Sequence, residues 1–129
     1  MRKPAALVAV LAFGVAAHAG AASLDARAPT LSERLRLVQV VRTYLDTSDC
    51  CAVIRRIKIM RVRVSTVDTR WAEVDLEAWV QNGTDIGVAA AVLHRGFLTG
   101  KWSVRYFGSD GVVCAAPPSV RRDLNLTCR

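Results

Sequence analysis

Beyond Asp49 the hydrophobic period of this chain changes from 3.6 to 2, and that change confines the fold to a helix followed by antiparallel strands. The helix opens at Thr30. Thr30 and Glu33 have the capping-box spacing, in which each side chain satisfies the other's free backbone N–H. Leu31, Leu35, Val38, Val41 and Leu45 then recur at helical intervals, joined by Leu37 and Tyr44, while Glu33, Arg36, Gln39, Arg42, Thr43 and Asp46 take the other side. The pattern ends near Thr47-Ser48-Asp49, leaving one amphipathic face to cover.

Residues 60–64 alternate as Met60, Arg61, Val62, Arg63 and Val64, and residues 72–80 alternate more cleanly, with Ala72, Val74, Leu76, Ala78 and Val80 on one side. If Val64 faces Ala72, then Arg63 faces Glu73 and Arg61 faces Asp75, so charge matching and apolar matching select the same register. Ile57 and Ile59 are out of step with Val62 and Val64, which places a bulge near Ile59-Met60. Asn82-Gly83 supplies a turn. Residues 86–93 are apolar on both parities, as in a central, well-covered strand, and after a turn at 96–100 Trp102, Val104 and Tyr106 alternate again.

Val112-Val113-Cys114 reads as a short fifth strand, Pro117-Pro118 stops sheet pairing, and Ser119–Leu124 reads as one helical turn capped by Ser119. The expected fold class is therefore α+β, one N-terminal helix packed on a four- to five-stranded antiparallel meander. The size suits a single domain over residues 30–129, preceded by a flexible leader over 20–29.

Residues 1–19 carry the features of a secretory signal peptide. Arg2 and Lys3 form a positive head, Ala5–Ala17 are apolar, and Ala17-His18-Ala19 is a small-x-small cleavage site. His18 and Gly20 interrupt the apolar stretch before the roughly 20 residues a bilayer requires, so no membrane span is expected after cleavage. Processing lowers the formal charge from +7 to +5. The basic character comes from 15 Arg against 3 Lys, without the stacking aromatics or motifs of a nucleic-acid binder, so no nucleic-acid partner is expected.

In an oxidising compartment Cys50, Cys51, Cys114 and Cys128 read as two disulfides, for which three connectivities exist. Adjacency weighs mildly against Cys50 with Cys51, because the ring would contain a distorted peptide bond, and the other pairings stay open. The absence of Cys-x-x-Cys argues against redox chemistry. Diverging neighbours at Cys50 and Cys51 argue against a metal, and no cofactor is implied.

Candidate chemistry is sparse. His94, the only histidine left after processing, shares parity with Ile86, Val88, Ala90 and Val92 and so reads as the last residue of an inward face. A small hydrolase or lyase using His94 with a carboxylate is the catalytic alternative, although no Gly-x-Ser-x-Gly is present and no residue is assigned as catalytic. Glu73, Asp75 and Glu77 read as a solvated strand face paired with arginines. Arg55, Arg56, Lys58, Arg61 and Arg63 form the densest positive patch, suited to an anionic envelope polymer or an acidic protein. Trp71 and Trp79 fall on the polar parity of their strand, where exposed tryptophan beside Arg61 and Arg63 is the material of a binding hot spot.

Residues 63–72, Ala91-Val92-Leu93-His94-Arg95, Gly100-Lys101-Trp102-Ser103-Val104 and the stretch from Cys114 to Cys128 around Pro117 and residues 120–124 are similar to small secreted proteins of actinobacterial type. That resemblance covers most of the processed chain and brings no assigned activity. It implies that Cys114 and Cys128 pair, with Cys50-Cys51 as an addition to the usual two-cysteine ending. In architecture alone, a helix on a meander is also similar to cystatins, though Val112–Ala116 is not a cystatin inhibitory loop. The resulting expectation is a secreted binding protein, with the His94 enzyme and an envelope-associated structural protein as alternatives.

Overall fold

The computed structural model describes residues 26–51, 53–80, 83, 85–109 and 113–128, with no side-chain description at Asp85 and Ile86. The expected signal segment, Asn82 and the Val112 end of the expected fifth strand lie outside the described residues. Helix α1 spans Leu31–Thr47 and is followed by a 3-10 turn over Asp49–Cys51. Four strands then run as β1 (Ile54–Val64), β2 (Trp71–Val80), β3 (Asp85–Arg95) and β4 (Trp102–Gly108), before a short helix α2 (Pro118–Asp123). The sheet is a meander in the order β1-β2-β3-β4, antiparallel throughout. Val113 and Cys114 are not part of it.

The capping box forms as the spacing predicts: Glu33 N–H donates to Thr30 Oγ1 at 3.1 Å, and Thr30 N–H donates to Glu33 Oε1 at 2.9 Å. The charge-matched register also holds, with Val64 opposite Ala72, Arg63 opposite Glu73 and Arg61 opposite Asp75. The ladder shifts between Ile59 and Arg61, where Met60 is the extra residue of the expected bulge, and again between Ile54 and Arg56.

The main core lies between α1 and one face of the sheet. Leu37, Val41 and Leu45 pack against Val62 and Val64 of β1, Ala72, Val74, Leu76 and Ala78 of β2, and Ala89, Ala91 and Leu93 of β3. Leu31 and Leu35, expected on the same helical stripe, are instead 73% and 63% exposed. At 100° per residue Leu35 falls about 120° around the helix from the centre of the Leu37–Val41–Leu45 stripe, which turns it away from the sheet.

The register places the odd residues of β3 beside the even residues of β2, so the even parity of β3 looks away from α1. His94 is accordingly not the end of the helix-facing row. On that second face a smaller core forms from Trp71, Val92, Val113, Ala116, Val120 and Leu124, with Ala26, Tyr106 and Leu126 at its margin. The C-terminal segment, closed by the Cys114–Cys128 disulfide, folds back over half of the face.

Helix α2 begins at Pro118, capped by Pro117, and not with Ser119 as its cap; proline fits the first helical turn because its missing N–H has no partner to lose there. Its end is a Schellman motif. Leu126 N–H donates to Arg121 O at 2.7 Å and Asn125 N–H to Arg122 O at 3.3 Å, with Asn125 in the left-handed region at φ 58°. The described end of the expected flexible leader is tied down as well. Arg27 and Val64 exchange two backbone hydrogen bonds of 2.9 Å, which lays residues 26–29 along the β1 edge.

Candidate functional site

The strands deliver the singled-out side chains to the second face, and the C-terminal segment divides that face into a closed half and an open half. In the closed half Trp71 is only 8% exposed. Its ring packs on that of His94 with centroids 4.5 Å apart. Trp71 is thus a core residue and offers no exposed contact surface.

Arg63 is enclosed here too. Its Nη2 donates to Glu73 Oε1 and Oε2 at 2.9 and 3.0 Å and to the Leu124 carbonyl at 2.7 Å, while its buried Nε has no partner among the described residues. Arg63 therefore pins the end of α2 onto the sheet. A second latch lies beside it: Asp123, buried at the end of α2, accepts from Ser65 Oγ (2.8 Å), Thr66 N–H (2.6 Å) and Thr66 Oγ1 (3.0 Å). Ser65 Oγ in turn accepts from the N–H groups of Val67 and Asp68, shaping the β1–β2 turn.

The carboxylate row expected as a solvated face is split the same way. Glu73 is buried, and burial together with a hydrogen bond to Asp75 pushes its carboxyl up to about 7 against the pull of Arg63. Asp75 moves the other way. Burial works against its ionisation, but the hydrogen bond from Glu73 and the Arg61 guanidinium hold its pKa below the ordinary value. The two carboxyls thus form a pair whose proton resides on Glu73. Such a pair has the makings of an acid–base unit, yet Glu73 lies behind the Arg63–Leu124 contact and neither carboxyl lines a cleft described below.

His94 is half-buried, and burial, reinforced by Arg105 and Arg70, lowers its pKa so that the imidazole is neutral near pH 7. The nearest acidic influence on it is Asp68. That carboxylate is taken by Arg70 through Nε and Nη2, both at 3.0 Å. Among the described residues no hydrogen bond joins the His94 ring to a carboxylate, and His94 lines neither described cleft.

The open half differs. Arg61 reaches Asp75 through Nε and Nη2 at 3.0 and 2.8 Å, but its side chain is 57% exposed. Trp79 is half-buried, with the Arg56 guanidinium 4.4 Å from the ring centroid. Arg55, Arg56 and Lys58 are exposed and make no ion pair among the described residues. They continue into a cleft of about 200 Å³ between the C-terminal half of α1 and the start of β1, where Arg42 and Asp46 join Arg55 and Arg56 over an apolar floor of Leu45, Ile54 and Ile57. The sequence marks Arg55 and Arg56 as part of a basic run; that Arg42 joins them is a tertiary fact, since twelve residues, the 3-10 turn among them, separate it from Arg55. On the far side of α1, Leu31, Leu35 and Val40 line a shallow groove with Arg36 and Gln39.

The disulfides are Cys50–Cys51 and Cys114–Cys128. The adjacent pair forms despite the expectation against it, and the fold gives the reason. Cys51 packs into the core beneath α1, whereas Cys114 follows Val113 in the core on the opposite face, so a crossed pairing would have to reach through the sheet. Among the described residues no cluster of His, Cys, Asp and Glu is arranged to hold a metal ion, and no helix is long and apolar enough to cross a membrane. No family model, curated protein or solved structure matches the chain.

Proposed function

We propose that this chain works outside the cytosol as a small binding domain whose open basic half-face recognises an anionic partner. The observation that carries the reading is the contrast in arginine use. Arg63 and Arg27 are consumed by internal pairs with Glu73 and Glu33, while Arg42, Arg55 and Arg56 surround a cleft with Asp46 as its one carboxylate. An exposed, unneutralised set of this kind raises the local concentration of anions and is not needed to hold the fold. Two cysteine pairs, both oxidised, support an oxidising compartment, as do the signal-like first nineteen residues and the resemblance to small secreted actinobacterial-type proteins.

The test is retention of the purified protein on polyanionic and on neutral matrices across a salt gradient. Binding through this face predicts retention on the polyanion at low salt, release as salt is raised, and loss of retention in Arg55→Ala/Arg56→Ala with none in His94→Ala. Equal retention on the neutral matrix would sink the reading.

A further inference from the structure

We infer that the cleft between α1 and β1 takes a single oxyanion carried on a sugar, a carboxylate or phosphate of an acidic polysaccharide, clasped by Arg42 and Arg55 beside the Arg56–Trp79 stack. The inference rests on the proposed anion-binding reading and goes further by naming the class of partner and the residues that select it.

Three features favour a glycan over an acidic peptide. A peptide binding by strand addition beside this cleft would need the free edge of β1, because edge strands offer unpaired N–H and C=O groups. That edge is broken by bulges at Ile54/Arg56 and Ile59/Arg61, and its Val64 end is already paired with Arg27, so no long regular ladder remains for a peptide. Recognition here has to run through side chains. Second, the cleft, at about 200 Å³, is small, fit for one charged unit and not for a run of side chains. Third, its floor of Leu45 and Ile57 suits the C–H face of a sugar ring, while the guanidinium forks suit the oxyanion. Asp46 at the same mouth opposes the anion and so sets a ceiling on its affinity.

The experiment is a titration of the purified protein, followed by the arginine Nε–H and tryptophan indole NMR signals, with a galacturonate trimer, inorganic phosphate, hexaglutamate and neutral maltotriose. The inference predicts that the galacturonate trimer shifts Arg42, Arg55 and Trp79 signals, that Arg42→Ala weakens it at least fivefold, and that Lys101→Ala, at the exposed turn before β4, changes it less than twofold. Asp46→Asn should tighten binding about threefold, a gain that no misfolded variant could mimic. Phosphate competing with the trimer supports a shared oxyanion site. Hexaglutamate binding as tightly as the trimer, or maltotriose matching it, overturns the glycan-borne anion. Trimer binding that ignores both Arg42→Ala and Asp46→Asn overturns the cleft while leaving the anion-binding face in place, and failure of every polyanion to bind removes both.

Discussion

Arg63–Glu73 and Arg61–Asp75 occupy neighbouring rungs of the same two strands, are built from similar side chains, and form at nearly the same distances, 2.9 and 2.8 Å. One pair has side chains 18% and 5% exposed, the other 57% and 18%. What separates them is the C-terminal segment, whose Leu124 carbonyl accepts from Arg63 on the first rung, while among the described residues none of its hydrogen bonds reaches the second. On this face the strand pattern decides which way a side chain points, and the tail decides whether it meets water. A buried pair becomes part of the framework, because removing one partner strands the other, while an exposed pair is close to neutral for stability and free to exchange partners.

The sharpest way to break this comparison is to truncate each arginine. Arg63→Met leaves the Glu73 carboxyl and the Leu124 carbonyl without their donor and, at about 1–3 kcal/mol for each buried acceptor left unpaired, should destabilise the protein by about 3–5 kcal/mol in urea denaturation. Arg61→Met should cost less than about 1 kcal/mol in the same measurement. Comparable losses for both would mean that the tail does not seal the first rung.

The disulfides carry the same contrast into the covalent structure. Cys114–Cys128 spans a sequence separation of 14, and opening a loop of that size by Cys114→Ser/Cys128→Ser should lower stability by about 3 kcal/mol. Cys50–Cys51, at a separation of 1, encloses no chain segment, so Cys50→Ser/Cys51→Ser should have a much smaller effect through the unfolded state. The loss of Cys114–Cys128 should also raise hydrogen exchange at Trp71 and Val92 while leaving Val74 and Leu76 protected, since only the former pack under the tail.

These contrasts show where the sequence was readable. The Thr30–Glu33 box and the Val64–Ala72 register were legible because each is written in a few neighbouring residues, and the register was written twice, in charge and in apolarity. The closed half of the second face was not, because it is assembled over distance. Val113, Val120 and Leu124 meet strand residues up to 61 positions earlier in the chain, and Arg63 and Glu73 look like surface residues until the tail is laid on them. One signal was available. Trp71 and Val92, bulky and on the parity opposite the helix-facing core, called for a second cover, and the proline-bounded tail was the apolar segment left to supply it. Asp123 gave no warning, since a single aspartate closing a short helix is ordinary until Ser65 and Thr66 are seen against it.

A pH measurement sharpens the comparison further. Glu73 has its folded pKa raised to about 7, so the stability linked to its proton is fully present below the unfolded value near 4.5 and is lost as pH rises through about 7. His94, with its pKa lowered, acts in the opposite sense as pH falls, so the informative quantity is the difference between the wild type and Glu73→Gln. That difference should shift by on the order of 2 kcal/mol between pH 5 and pH 8, the variant gaining on the wild type at the higher pH. A difference constant with pH would place Glu73 as an ordinary ionised partner of Arg63.

The smallest effect tests the same chemistry where water is admitted. Arg27 and Glu33 form another Arg–Glu pair, here through both Nη atoms at 2.9 and 2.8 Å, but with side chains 38% and 29% exposed. Here the Arg27 hydrogen bonds, with the Thr30 N–H, lower the Glu33 carboxyl to about 2. The sign reverses from Glu73: stability from Glu33 is present above the unfolded value near 4.5 and is lost as pH falls through about 2. Because solvent reaches both partners, Glu33→Gln should cost only about 1 kcal/mol at pH 7, a capping-sized effect, and nothing measurable near pH 2. Thermal denaturation of wild type and variant at the two pH values reads this directly. If the variant instead lost as much as Arg63→Met, exposure would not be what separates the pairs, and the tie of Arg27 to the edge of β1 would have to count as framework on the scale of the tail.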